Sequence, residues 1–150
     1  MLPSTTATST PGTADGDRVT FDQALLDTSV VIDYPAAAVA AQTASAAVST
    51  ITLAELAYGL HTSDPLVNAA REQRYHWIGS TFDSIPFDEA AARTYGALCA
   101  SVRAAGRDPR PRRFDLLIAA VAVALRLPLI TRNAQDFAGI HDALTVVAVS

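Results

Sequence analysis

The sequence predicts an α/β fold, with a central, mainly parallel sheet flanked by helices on both faces. Three observations lead there. Short, largely apolar runs alternate with longer helical stretches along the chain. At 150 residues, half of them apolar and only 17% charged, the chain is long enough to bury one core. The run Phe114 to Leu125 is apolar at every position except Asp115, as expected of a buried helix.

Residues 1–20 have no periodicity and are rich in Thr, Ser, Gly and Pro, which predicts a disordered leader before a domain spanning 21–150. Ala24-Leu25-Leu26 is a short buried strand ending at Asp27. Thr28 and Ser29 open a helix that runs through Val30 to about Ala40, with Pro35 an awkward resident of its early turns. Residues 46–49 form a second strand. A helix opened by Thr52 reaches about His61, and Asp64-Pro65, an N-cap followed by proline at the first helical position, starts another that reaches about Ile78. Residues 82–87 are a third strand. Asp88 caps a long amphipathic helix ending near Gly106, followed by an arginine-rich loop and the Asp115 helix. Leu129-Ile130-Thr131 is a fourth strand, residues 133–137 a helical turn, and residues 144–149 the last strand.

The charges exclude several functions. All eleven cations are arginine, so the chain has no lysine for a P-loop, a Schiff base or a phosphate-contacting lysine. Cys99 is the single cysteine, which leaves no internal disulfide and no cysteine-clustered metal site. No apolar stretch is long enough to span a membrane and no secretory signal is evident, so a cytoplasmic location is expected. The net charge of −4 argues against a generally nucleic-acid-binding surface, but Arg103, Arg107, Arg110, Arg112 and Arg113 stand close together with only Asp108 among them.

In a parallel sheet all strand carboxyl ends lie on one edge, where ligands bind. Asp27 and Asp136 follow strands, Glu55 sits on the first helical turn after strand two, and Asp115 heads a helix that runs back against the strands. The four carboxylates are thereby expected at the same edge. Each has a purely structural alternative: Thr52-x-x-Glu55 fits a capping box, Asn133-x-x-Asp136 resembles one, and Asp115 can cap its helix. Asp27 has the weakest such alternative. Asp33, Asp88 and Glu89 occupy comparable positions. Crowded carboxylates repel unless a cation lies among them, and an oxygen-only set without histidine suits Mg2+, with Mn2+ as the alternative. His61, His76 and His141 lack ligand spacing. Carboxylates beside guanidinium groups suggest phosphodiester hydrolysis. A metal-dependent phosphatase ranks lower, because Ser29 stands where its second aspartate would be.

Four segments, Leu-Leu-Asp27-Thr-Ser-Val-Val-Ile-Asp, Ser-Thr-Ile-Thr-Leu-Ala-Glu55-Leu-Ala-Tyr-Gly, Arg-Phe-Asp115-Leu-Leu-Ile-Ala-Ala and Leu-Ile-Thr-Arg-Asn133-Ala-Gln-Asp136-Phe, resemble in order and spacing the motifs of PIN-domain ribonucleases, most of all VapC-type toxins of VapBC toxin–antitoxin pairs. The resemblance extends from about Leu25 to Val149. It implies a PIN-like fold and a Mg2+-dependent endoribonuclease that cuts cellular RNA, tRNA or rRNA, and so inhibits translation. It places the acidic cluster at Asp27, Glu55, Asp115 and Asp136, with Asp27 and Asp115 as the core metal ligands and Thr131 holding a water or the acidic loop. Arg110, Arg112 and Arg113 are the expected RNA contacts. It further implies a homodimer and a VapB-like antitoxin partner. The leader is longer than the family usually carries, and Asn133 stands where some PIN domains have a further acid. A non-catalytic PIN-like module that binds RNA or protein is the alternative.

Overall fold

The computed structural model describes residues 20–150, so the expected leader lies outside the described residues up to position 19. Five strands form one parallel sheet: β1 (Phe21–Leu26), β2 (Thr43–Ser49), β3 (Asp83–Ile85), β4 (Leu129–Thr131) and β5 (Val146–Ala148), in spatial order β3-β2-β1-β4-β5. The chain winds outward from β1 through β2 to β3, then crosses back to β4 on the other side of β1. This reversal opens a crevice beyond the carboxyl ends of β1 and β4, the usual ligand position in such sheets.

Alternate strand residues feed two cores. On one face Leu25, Ala47 and Leu129 pack beneath α5 (Glu89–Ala104), α6 (Arg113–Ala124) and the apolar residues Phe137, Ile140 and Leu144. On the other, Ala24, Leu26, Val48 and Ile130 meet Val30 of α1 (Thr28–Val31), Val39 of α2 (Ala36–Ala40), Leu56 of α3 (Thr50–Tyr58) and Ile78 of α4 (Pro65–Thr81). Leu25 and Leu26 are completely buried on opposite faces, so truncating either to alanine would cost roughly 2–5 kcal/mol.

Several boundaries differ from expectation. The helix foreseen between Thr28 and Ala40 is two short helices, because Pro35 lacks an N–H to continue the first and instead begins the second. β2 starts three residues earlier, paired with β1 from Thr43 opposite Phe21, and β3 is only three residues long. α3 is capped by Ser49, whose Oγ accepts from the Thr52 N–H at 3.2 Å, so the expected Thr52–Glu55 capping box is absent and Glu55 falls in the second turn. Asp64 and Asp88 cap α4 and α5 as predicted. α6 begins at Arg113 without a side-chain cap, which removes capping as the explanation for Asp115.

α6 ends in a Schellman arrangement: Leu127 N–H reaches Ala122 O and Arg126 N–H reaches Val123 O. Arg126 takes the left-handed conformation (φ 58°) that usually goes to glycine, which turns the chain directly into Pro128 and β4.

Candidate active site

Asp27 follows β1 directly, yet its backbone N–H still donates to Ile130 O of β4 at 2.9 Å. Its side chain does not cap α1. Instead Oδ2 accepts from Thr131 Oγ1 at 2.7 Å and from Ser29 Oγ at 2.9 Å. Thr131, fully buried, accepts in turn from the Asn133 N–H at 3.0 Å. Ser29 Oγ accepts from the Arg132 N–H, while the Arg132 guanidinium donates to the backbone carbonyls of Ser29 and Asp33. Asp27 is only 4% exposed, and all its side-chain hydrogen bonds among the described residues fall on Oδ2, which leaves Oδ1 available.

Glu55 reaches toward the same edge from α3. Thr28 Oγ1 lies 2.8 Å from Glu55 Oε1, to which it donates, and 2.9 Å from Thr52 Oγ1. Burial raises the Glu55 carboxyl above its usual range; the Thr28 hydrogen bond opposes this and the Asp27 charge adds to it.

Asp115 lies in the first turn of α6 and is half-buried. Its pKa is pushed up to about 6, first by burial and then by the charges of Asp27, Asp136 and Glu55, with Arg112 pulling the other way. The fourth acid, Asp136, sits in a 3₁₀ turn (Ala134–Phe137) after β4, where Oδ1 accepts from Arg112 Nη1 at 3.1 Å. The four carboxylates are therefore electrostatically coupled, with Asp115 bearing the repulsion of the other three. Among the described residues no three His, Cys, Asp or Glu side chains close on a single ion-sized point. Asp88 is spent on the Ala91 N–H, and Asp33 offers Arg132 its backbone carbonyl.

The arginine loop divides. Arg112 faces the acids, on Asp136. Arg110 folds onto Asp108 (2.9 Å), exposed to solvent. Arg113 lines a separate groove with Tyr95 and Arg103. All three histidines are exposed. Sequence reasoning overlooked Ser29 and Arg132, and treated Thr28 and Thr52 as helix openers. Their hydroxyl types beside Asp27 and Glu55 were the available signal, since a short side chain next to a buried acid is suited to donate to it.

Residues 24–141 match the model of the PIN domain. The chain belongs to the PIN-domain family. The matched span runs from β1 past the 3₁₀ turn and takes in all four acids, with β5 beyond it. This PIN domain is 37% identical over 102 residues to Ribonuclease VapC5 of Mycobacterium tuberculosis, across 67% of this chain and 72% of that protein. It superposes on a chain of VapBC-5 from Mycobacterium tuberculosis, a member of the VapBC family of toxin–antitoxin systems, with a TM-score of 0.73 and 32% identity, covering 85% of this chain and 98% of that one. A chain of VapBC2 from Rickettsia felis, solved bound to a DNA fragment from its promoter, gives a TM-score of 0.70 at 25% identity, covering 85% and 99%. The PIN domain is thus of the VapC type.

Proposed function

We propose that this chain is the toxin of a type II toxin–antitoxin pair, a metal-dependent endoribonuclease that hydrolyses phosphodiester bonds of cellular RNA, tRNA or rRNA, and so halts translation. The observation that carries this reading is the coupled cluster of Asp27, Glu55, Asp115 and Asp136 at the β1–β4 crevice, with Asp115 raised to about 6 by burial and by the other three charges. Carboxylates crowded at a sheet edge invite a cation, and the similarity to Ribonuclease VapC5 supports RNA as substrate.

The donor set fits a hard divalent ion. All four donors are carboxylates, the oxygen chemistry that Mg2+ prefers, and Mg2+ keeps several waters and needs only one or two protein carboxylates. Asp27 and Asp115 would hold it, with Glu55 and Asp136 beside them; Mn2+ would suit the same carboxylates. When bound, the ion lowers the pKa of an attacking water and offsets the charge that builds on the phosphoryl oxygens. Thr131 and Ser29 hold Asp27 in one orientation. Glu55, raised by burial, is suited to take the proton that the water loses as its oxygen bonds to phosphorus and the phosphorus–oxygen bond to the leaving nucleotide breaks, the leaving oxygen taking a proton from solvent. Arg112 can exchange Asp136 for a phosphate oxygen, the partner its planar donor pair matches equally well.

The partner is a VapB-like antitoxin, as in the VapBC complexes that this chain resembles. A homodimer in the cytoplasm completes the proposal; no helix among the described residues is long and apolar enough to cross a membrane. Induced expression should arrest growth, and Asp27→Asn or Asp115→Asn should each relieve the arrest. Toxicity unchanged in both variants would refute the nuclease reading. RNA retention without any cleavage across a Mg2+ and Mn2+ titration would favour the non-catalytic binding module instead.

A further inference from the structure

The groove that Arg113 lines with Tyr95 and Arg103 has no part in the cluster described above. It is about 350 Å³ in volume and is lined by Tyr95, Gly96, Cys99, Arg103, Pro109, Arg110 and Arg113. Clefts that take small ligands start at roughly 300 Å³, so a nucleotide-sized group can enter. Three guanidinium groups border it. The acid adjoining them, Asp108, is occupied by Arg110, which it meets through both side chain and backbone. Arg103 and Arg113 line the groove together with Tyr95, whose half-buried ring packs against the core below it. Beside the ring, nothing lies within 4 Å of where a Cβ on Gly96 would stand, which leaves the α5 surface open. An aromatic ring with guanidinium groups around it is the combination that holds single-stranded nucleic acid, the base stacking and the phosphates pairing. An acidic protein segment would use the cations but leave the ring unused.

We propose that this groove is a second RNA subsite, in which Arg103 and Arg113 pair with backbone phosphates and Tyr95 stacks on a base of a single-stranded segment flanking the cleaved bond. The proposal rests on RNA being the substrate. Arg112 and Arg113 are consecutive, and the first meets Asp136 of the acidic cluster while the second lines the groove. The acidic cluster and the groove therefore both adjoin the start of α6, and a strand held at one can continue towards the other. Arg112 serves the reacting phosphate, whereas Arg103 and Arg113 set how long a stretch of unpaired RNA is gripped.

Binding of a fluorescent single-stranded RNA decamer to Asp27→Asn protein, followed by anisotropy across a salt series, tests this without cleavage. Arg103→Ala with Arg113→Ala should weaken binding about tenfold or more and reduce the slope of log K against log salt by roughly 1.4, two phosphates at about 0.7 each on a single strand. Tyr95→Ala should also lose roughly tenfold, while Tyr95→Phe keeps the ring and the affinity. Gly96→Leu, which fills the groove without altering charge, should weaken binding as well. Unchanged affinity and slope in the double variant would overturn the subsite. So would a double variant that loses an acidic peptide but not the RNA. Metal-dependent cleavage by the unaltered protein is measured separately, so loss of the subsite and loss of the nuclease reading give different results.

Discussion

The floor and the rim of the acidic crevice are built on opposite plans. On the floor, Asp27 is buried between two strand ends, and each group around it has a partner: Thr131 and Ser29 donate to it, Asn133 and Arg132 support those hydroxyls, and Ile130 accepts its amide. On the rim, Asp115 has no capping role and Asp136 is met by one arginine from a mostly exposed loop. The floor supplies position and the rim supplies charge. A carboxylate tied by neutral hydroxyls keeps its place whether or not a cation is near. One raised by burial and by its neighbours' charges responds strongly when a cation arrives.

The largest effect should come from removing charge on either side of this divide. Asp27→Asn and Asp115→Asn should each reduce RNA cleavage by roughly 10²–10³-fold or more, the scale of losing a central electrostatic contact. If a gel assay finds either variant near full activity, that acid is outside the reaction. The variants should then part in stability, because an asparagine oxygen can still accept from Thr131 and Ser29 on the floor, whereas Asp115→Asn removes repulsion.

Breaking the floor's support is next. Thr131→Val removes the donor to Asp27 and the acceptor for the Asn133 N–H in a fully buried position, which should cost about 1–3 kcal/mol in denaturant melts. Thr131→Ser keeps the hydroxyl and should recover most of the hydrogen-bond loss. Equal damage from both would mean that packing, rather than the hydroxyl, is what matters there.

The rim predicts a pH effect of known sign. Asp115 holds its proton more tightly when folded (about 6) than its ordinary value of 3.8, so the folded state binds more protons between those limits. Metal-free protein should therefore lose stability, relative to Asp115→Asn, as pH rises from about 4 to about 6. The full shift would amount to about 3 kcal/mol, and partial solvent exposure reduces that to about 1–2 kcal/mol. Mg2+ should restore the loss at neutral pH by binding only the folded state. A flat difference between the two proteins across that range would contradict the coupling. Arg110→Ala should change least, with no measurable shift in Tm, because its pair with Asp108 is open to solvent.

How much of this was legible in the sequence follows from the range of each interaction. The alternation of strands and helices, and with it the gathering of Asp27, Glu55, Asp115 and Asp136, could be read because chain direction in a parallel sheet fixes which ends meet. The caps at Asp64 and Asp88 were equally local. The break at Pro35 is a local signal too, since a proline cannot donate the N–H that continues a helix. The Thr131–Asp27 bond joins residues 104 positions apart, and Arg132 reaches Ser29 across a similar span. Such contacts depend on the lateral order of β1 and β4, which periodicity does not contain. The division of the arginine loop was hidden for a related reason: whether Arg112 or Arg113 faces the acids depends on the angle at which the chain enters α6.

The hydrogen bond from the Asp27 amide to Ile130 O ties the residue at the floor of the crevice to the joint between the two halves of the sheet. Amides in such joints exchange with solvent only when the whole domain opens, whereas termini and exposed loops fray far more readily. Site and fold therefore share one unfolding event. Under mild denaturant the population should divide into molecules with an intact floor and molecules with none, and activity should decline by head count rather than by gradual loosening.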